Sequence, residues 1–196
     1  MTEKNDRNFD GPLKGVRVVE LGQLLAGPFC GQLLADYGAE VIKVEQPGVG
    51  DPMRVWGREK SHGKSLWWPI IARNKKSVTL NLRTEEGQQV IRDLVAKSDI
   101  LLENFRPGTM ERWGLGYDEL KKINPGLIMI RVSGYGQDGP YSKKAGYGAI
   151  GEAMGGMRYV VGDHQHHQAV WAYPLVTIWP QHSLALARLL RSITRI

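Results

Sequence analysis

The chain has 196 residues, 42% of them hydrophobic, and a formal net charge of +6, which suits one soluble globular domain or part of a larger one. No run of about eighteen apolar residues is present to span a membrane, the start MTEKNDRNFDGPL is unlike a secretory signal, and the single cysteine, Cys30, excludes an internal disulfide and fits a reducing cytoplasm. The charge is uneven: residues 164–196 hold Arg188, Arg191, Arg195, four of the five histidines and no acid, so the body through Asp163 is only slightly basic, as for a protein that grips an anionic small molecule rather than nucleic acid.

Val16–Leu21 is a short β-branched run, the pattern of a strand buried on both faces. The loop Gly22–Gly27 follows, Pro28 marks the first turn of a helix, and Phe29, Leu33, Leu34 and Tyr37 recur at helical spacing until Gly38. With a second strand at Val41–Val44, these residues make a βαβ unit. The stretch EQPGVGDPMRVWGREKSHGKSLWW is too long for a simple connection and reads as a functional excursion. Order resumes with a strand at Ser77–Leu82 and a helix capped by Thr84 that runs through Ala96 with Val90, Ile91, Leu94 and Val95 buried. A strand then leads from Asp99 to Glu103-Asn104-Phe105, followed by the turn Arg106-Pro107-Gly108, a helical piece at Met110–Trp113, a helix Glu119–Ile123 capped by Asp118, and a strand at Leu127–Val132. Strands alternating with helices, without any repeated period, predict a three-layer, Rossmann-like α/β fold with a mainly parallel sheet.

A parallel sheet gathers the loops that follow its strands at one edge, where such folds bind ligands. Those loops offer Gln23-Leu24-Leu25-Ala26, Gln46, Asn81 to Arg83, and Asn104-Phe105, with Arg73, Lys75, Lys76 and Arg112 nearby along the chain. Amides, cations, one ring and exposed backbone suit a ligand with phosphates, an adenine and a long amide-bearing arm. Each residue also has a plain structural reading. The ARNKKS cations fit a solvated turn, Asn104 fits a cap on Arg106-Pro107-Gly108, Phe105 fits the core, and Cys30 fits a small apolar helix position. A glycine fingerprint for nicotinamide or flavin is absent after the first strand, and Ser61-His62 and Ser142 lack a nucleophile elbow. The cluster His164, His166, His167 lacks convincing partner ligands, so no metal is expected.

The segments LGQLLAGP, GAEVIKVEQPGVGD, ARNKKSVTLNL, LLENFRPGTMERWGLGYDEL, NPGLIMIRVSGYGQDGPY and GYGAIGEAMGGM, in this order, closely resemble the N-terminal part of the class III CoA-transferases, the carnitine dehydratase/bile-acid-inducible family. The resemblance covers roughly Leu13 to Asp163 and divides the chain into a polar arm (residues 1–12), a partial CoA-binding α/β domain (13–163) and a tail (164–196). It implies coenzyme A as the bound group, acyl-CoA and a carboxylic acid as substrates, an interlocked homodimer in full-length relatives, and no metal. Carried over by motif position, the CoA contacts are Gln23, Leu24, Leu25, Ala26, Gln46, Leu80, Arg83, Asn104, Phe105 and Arg112. The implied reaction runs through an aspartate that attacks the thioester to give a mixed anhydride and then an enzyme thioester. The family's racemase branch carries Gly-His-Asp where this chain has Gly146-Tyr147-Gly148, so its acid/base pair is missing; Gly148 also departs from the Gly-Tyr-Asp of many transferases.

The resemblance stops at Asp163, just before the expected nucleophile, and no aspartate follows. Asp163 itself lies in a VVGD turn ahead of that region, so no catalytic residue is assigned and the chain on its own is expected to be inactive. Read from the third base of each codon, residues 164–177 permit P-T-P-P-S-R-V-G-I-S-I-G-D, a segment of family type whose aspartate would straddle the codons of Val176 and Thr177. Residues 164–196 are therefore read as an out-of-frame translation. The alternative is a divergent tail whose Leu186, Leu189, Leu190 and Ile193 line a basic amphipathic helix. From a different class, a non-catalytic CoA-binding module and a non-functional remnant both remain open.

Overall fold

The computed structural model describes residues 11–160. The first ten residues of the predicted arm, and the segment from 161 onward with its histidine cluster and proposed frameshift, lie outside the described residues.

Strand β1 (Arg17–Glu20), helix α1 (Ala26–Asp36) and β2 (Glu40–Glu45) form the expected βαβ unit. β1 and β2 pair in parallel from Arg17↔Glu40 to Glu20↔Lys43. The helix starts two residues before Pro28, which sits in the first turn, where no N–H is needed. The excursion holds a 3₁₀ turn at Pro52–Arg54, the short hairpin strands β3 (Lys60–Ser61) and β4 (Lys64–Ser65), and α2 (Trp68–Ile71). β5 (Lys75–Thr79), α3 (Glu85–Val95), β6 (Ile100–Glu103), α4 (Thr109–Arg112), α5 (Tyr117–Ile123), β7 (Ile128–Arg131), α6 (Gly148–Met154) and α7 (Met157–Val160) complete the described elements.

The main sheet has the order β5-β2-β1-β6-β7, with every pairing parallel, as a mainly parallel α/β fold requires. Successive residues of the central strands feed opposite faces. Val18, Ile100 and Leu102 pack with Leu34 and Ala35 of α1, while Val19 and Leu101 pack with Ile91 and Val95 of α3 and Leu120 of α5. That alternation makes three layers.

Three expectations are corrected. The strand placed at Ser77–Leu82 runs instead from Lys75 to Thr79, because the lysines that made ARNKKS look like a turn alternate between the two faces of the sheet. Asp118 does not cap α5; Gly116 does, and Asp118 stands in the first turn, where its charge still complements the helix dipole. Val90 is 40% exposed rather than in the buried stripe. Thr84 caps α3 as expected, its Oγ1 accepting from the Gly87 N–H at 3.2 Å.

Candidate functional site

In the strand order the chain winds outward from β1 to β2 and β5 on one side, and to β6 and β7 on the other. The direction of winding therefore reverses between β1 and β6, and a crevice opens there at the carboxyl ends of the strands. A cleft of about 600 Å³ occupies this point, lined by Gln23–Ala26, Met53, Trp56, Trp67, Asn104–Arg106 and Ala145–Ala149. A smaller recess of about 170 Å³, reaching Ser133, Tyr135 and Lys144, shares the wall formed by Ala26, Asn104–Arg106 and Gly146–Gly148.

The two strand ends are joined by one side chain. Asn104 Oδ1 accepts from the Gln23 N–H at 2.7 Å, and Asn104 Nδ2 donates to the Gln23 carbonyl at 2.9 Å. Each end of the amide makes one bond to the loop rather than to Arg106-Pro107-Gly108, so Asn104 shapes the backbone that faces the cleft and keeps a second N–H and a second lone pair for other partners. Gly22 and Gly27 leave room for this, since a Cβ on either would stand a tight 3.1 Å from Asn104 Oδ1. Leu24, between them, has φ of 63°, a left-handed conformation that a leucine adopts only when its surroundings hold it there. Phe105 meets Trp113 edge-on at 5.2 Å and 77°, so its ring belongs both to the core and to the cleft wall.

Of the ten sequence-derived residues, six line the cleft: Gln23, Leu24, Leu25, Ala26, Asn104 and Phe105. Gln46, Leu80, Arg83 and Arg112 do not line it. Gln46, Arg83 and Arg112 are exposed; Leu80 is half-buried against the second core beside Phe105, and Arg112 Nη2 donates to Thr109 Oγ1 at 2.9 Å. The other suggested cations are already paired. Arg73 binds Asp36 at 2.5 Å, Lys76 binds Glu40 at 2.6 Å, and Lys75 turns inward to Glu20 at 2.7 Å. The residues that sequence reading missed are Met53, Trp56, Trp67, Arg106 and Tyr147. The excursion signalled function through its length, but nothing local says which of its side chains turn back over the sheet. Arg106 is the one charged side chain lining the larger cleft among the described residues.

Beneath the loop lies a buried charge network. Lys43 Nζ reaches Glu20 Oε1 at 3.1 Å, Asp51 Oδ2 at 2.8 Å and the Gly22 carbonyl at 2.8 Å, and its side chain is 1% exposed. Burial disfavours the Lys43 ammonium, but Glu20 and Asp51 outweigh it and hold the pKa above its ordinary value. For Lys75, burial wins and the pKa falls. Cys30 packs in the first core next to this network, and burial, helped by the Glu20 charge, pushes its thiol up to about 12; it is a packing residue.

Glu45, at the end of β2, ties the excursion to the sheet. Its carboxylate accepts from Arg54 Nε at 2.7 Å, Ser77 Oγ at 2.5 Å and the Asp51 N–H at 2.8 Å. Burial alone would raise its pKa, yet these bonds to the ionised form pull it down to about 2. A carboxylate whose folded pKa lies below its unfolded value contributes stability above the unfolded pKa and loses it as pH falls toward the folded one. Between pH 4.5 and 2 the wild-type chain therefore loses roughly 3 kcal/mol more than a Glu45→Gln variant. Urea unfolding at stepped pH reads this difference, and parallel curves for the two proteins would refute it.

Among the described residues, no helix is long and apolar enough to cross a membrane, and no group of three or more His, Cys, Asp or Glu could hold a metal.

The chain resembles known proteins over most of its length. The succinyl-CoA–D-citramalate CoA-transferase of Chloroflexus aurantiacus is 68% identical over 151 residues, which are 77% of this chain and 38% of the relative. The human succinyl-CoA:glutarate CoA-transferase is 42% identical over 159 residues, 81% of this chain and 36% of the relative. Among solved structures, a CAIB/BAIF family protein from Brucella suis matches with a TM-score of 0.87 at 37% identity, covering 94% of this chain and 50% of that one. Rv3272 from Mycobacterium tuberculosis matches with a TM-score of 0.84 at 39% identity, covering 94% and 51%. The chain thus spans a little over a third of the length of these curated relatives and about half of the solved chains. The model of CoA-transferase family III matches residues 13–192, and the chain belongs to that family.

Proposed function

We propose that the described residues form the CoA-holding part of an acyl-CoA:carboxylate CoA-transferase. The observation that carries this reading is the cleft at the β1/β6 switch point, where Asn104 locks the Gln23–Ala26 loop and Phe105 supplies an aromatic wall. A largely apolar cleft with backbone amides at its edge suits the thioester and pantetheine arm. Gln46, Arg83 and Arg112, exposed and outside the cleft, suit the phosphorylated nucleotide end. The relatives' printed names, with succinyl-CoA as donor and citramalate, malate or glutarate as acceptor, favour small dicarboxylic acids as the substrate class. The chemical step needs a carboxylate that attacks the thioester carbonyl and expels CoA thiolate to leave a mixed anhydride, whose enzyme-side carbonyl the thiolate then attacks, giving the enzyme thioester and releasing the donor's free carboxylate. Nothing in the described cleft is assigned that role, and no aspartate follows Asp163. The 196 residues by themselves are therefore proposed to bind CoA without transferring it.

Calorimetric titration of the chain with CoA tests the reading. Saturable heat is expected, with affinity about tenfold weaker for Arg83→Ala, the loss typical of one charge-assisted phosphate contact. No saturable heat rejects the binding role; CoA exchange between an acyl-CoA and a carboxylic acid by the purified chain rejects the inactivity.

Residues 164–196 are proposed to be an out-of-frame translation of the segment that would carry the aspartate. The citramalate relative aligns with only 77% of the chain, which supports this, while the family match running to residue 192 argues for continuity past Asp163. The gene's nucleotide sequence through the Asp163 codon decides between them.

A further inference from the structure

We propose that Asp51 is the positioning residue of the CoA-facing loop: it holds Leu24 at positive φ and ties the Gln23–Ala26 loop to the Met53–Trp56 wall of the cleft. The effect on CoA rests on the reading above; the effect on the loop does not.

Asp51 Oδ1 accepts two backbone N–H groups, from Leu24 at 3.2 Å and from Met53 at 2.8 Å. Both of these residues line the cleft, Leu24 from the loop after β1 and Met53 from the excursion. The bond to Leu24 falls on the residue whose φ of 63° is strained for a leucine. The preceding N–H, that of Gln23, is held by Asn104. Two adjacent peptide groups are thus fixed from two separate elements, the end of β6 and the excursion, which is how a short loop is kept out of its relaxed conformation.

Asp51 is itself immobile. It is 2% exposed, its own N–H donates to Glu45 Oε2 at 2.8 Å, and its Oδ2 pairs with Lys43 Nζ at 2.8 Å. Neutralising Lys43 takes one carboxylate oxygen. The other is aimed at the loop, so the buried network below the cleft is also the anchor of its wall.

Hydrogen exchange and CoA calorimetry on the full chain test this together. In the wild type, the Leu24 amide is expected to exchange at least tenfold more slowly than in an unstructured peptide. In Asp51→Ala it should return to the peptide rate while the Ile100–Leu102 amides stay protected. Asp51→Ala and Leu24→Pro, which removes the donor and forbids positive φ, should each weaken CoA binding about tenfold, and the double variant clearly less than about a hundredfold, because the Leu24 bond is common to both and is deleted only once. Additive losses, the mark of a merely structural role, would overturn the proposal, as would an unprotected Leu24 amide in the wild type. A protected Leu24 in a chain that takes up no CoA would uphold the anchor and reject the cofactor reading. Should Asp51→Ala fail to fold, Leu24→Pro decides alone: it leaves the Lys43 pairs untouched, and wild-type affinity for CoA in that variant would overturn the proposal.

Discussion

Lys43→Ala is expected to abolish cooperative unfolding of the chain, or to lower its stability by about 3–5 kcal/mol. Lys43 lies in β2 with its side chain 1% exposed, and it is the shared cation of Glu20 and Asp51, which are equally buried. Removing it leaves two carboxylates under the cleft with only Lys75, which reaches Glu20 at 2.7 Å, and it strips the Gly22 carbonyl of its donor. A buried charge without its partner costs several kcal/mol, a large part of the total stability of an ordinary domain. Lys43→Met restores the volume without the charge, and the expected loss is nearly as large, which separates electrostatics from packing. Urea unfolding followed by far-ultraviolet circular dichroism measures both variants. A stability within 1 kcal/mol of wild type for either would mean that the network relaxes by admitting water.

Gly31→Ala is expected to destabilise the chain by about 3 kcal/mol, against the usual direction of the change. In a helix interior, alanine normally gains about 1 kcal/mol over glycine. Gly31, however, faces Glu20: an added Cβ would stand 1.9 Å from Glu20 Oε2 and 3.3 Å from Lys75 Nζ. Glu20 is fully buried and gripped by Lys43 and Lys75, so its carboxylate cannot swing aside without breaking an ion pair. Either α1 moves off the sheet or the pair opens, and overpacking of this kind costs about 1–3 kcal/mol before the ion pair is counted. The urea midpoint, with unchanged slope, is the readout. A midpoint equal to or above that of wild type would show that Glu20 has room the close approach denies.

These two residues also show where sequence reading stops. Gly31 reads locally as an indifferent helix glycine, and Lys43 as a solvated charge between two apolar residues of β2. Their roles appear only when β1, β2 and β5 lie side by side and α1 crosses them, because the partners Glu20, Asp51 and Lys75 are distant along the chain. The ARNKKS segment failed for the same reason: its lysines looked like phosphate ligands, but one of them completes a buried pair from the edge strand. The loop residues Gln23–Ala26 and the pair Asn104-Phe105 were legible, since a strand end followed by glycines and a helix start is a local pattern. The tryptophans of the excursion were not legible as site residues, because how a long irregular segment folds back is decided by its anchors at Glu45 and Asp51.

By itself, the sequence determined the alternation of strands and helices, the parallel sheet and the family, because periodicity, punctuating glycines and contiguous motifs are local properties that survive without coordinates. Only the tertiary structure decided which cations are spent in ion pairs and which face solvent, that Asn104 bonds the Gln23 backbone, and that Asp51 accepts from the Leu24 N–H. Each of those depends on groups brought within about 3 Å by the winding of the sheet, where burial removes the water that would otherwise make such contacts nearly indifferent.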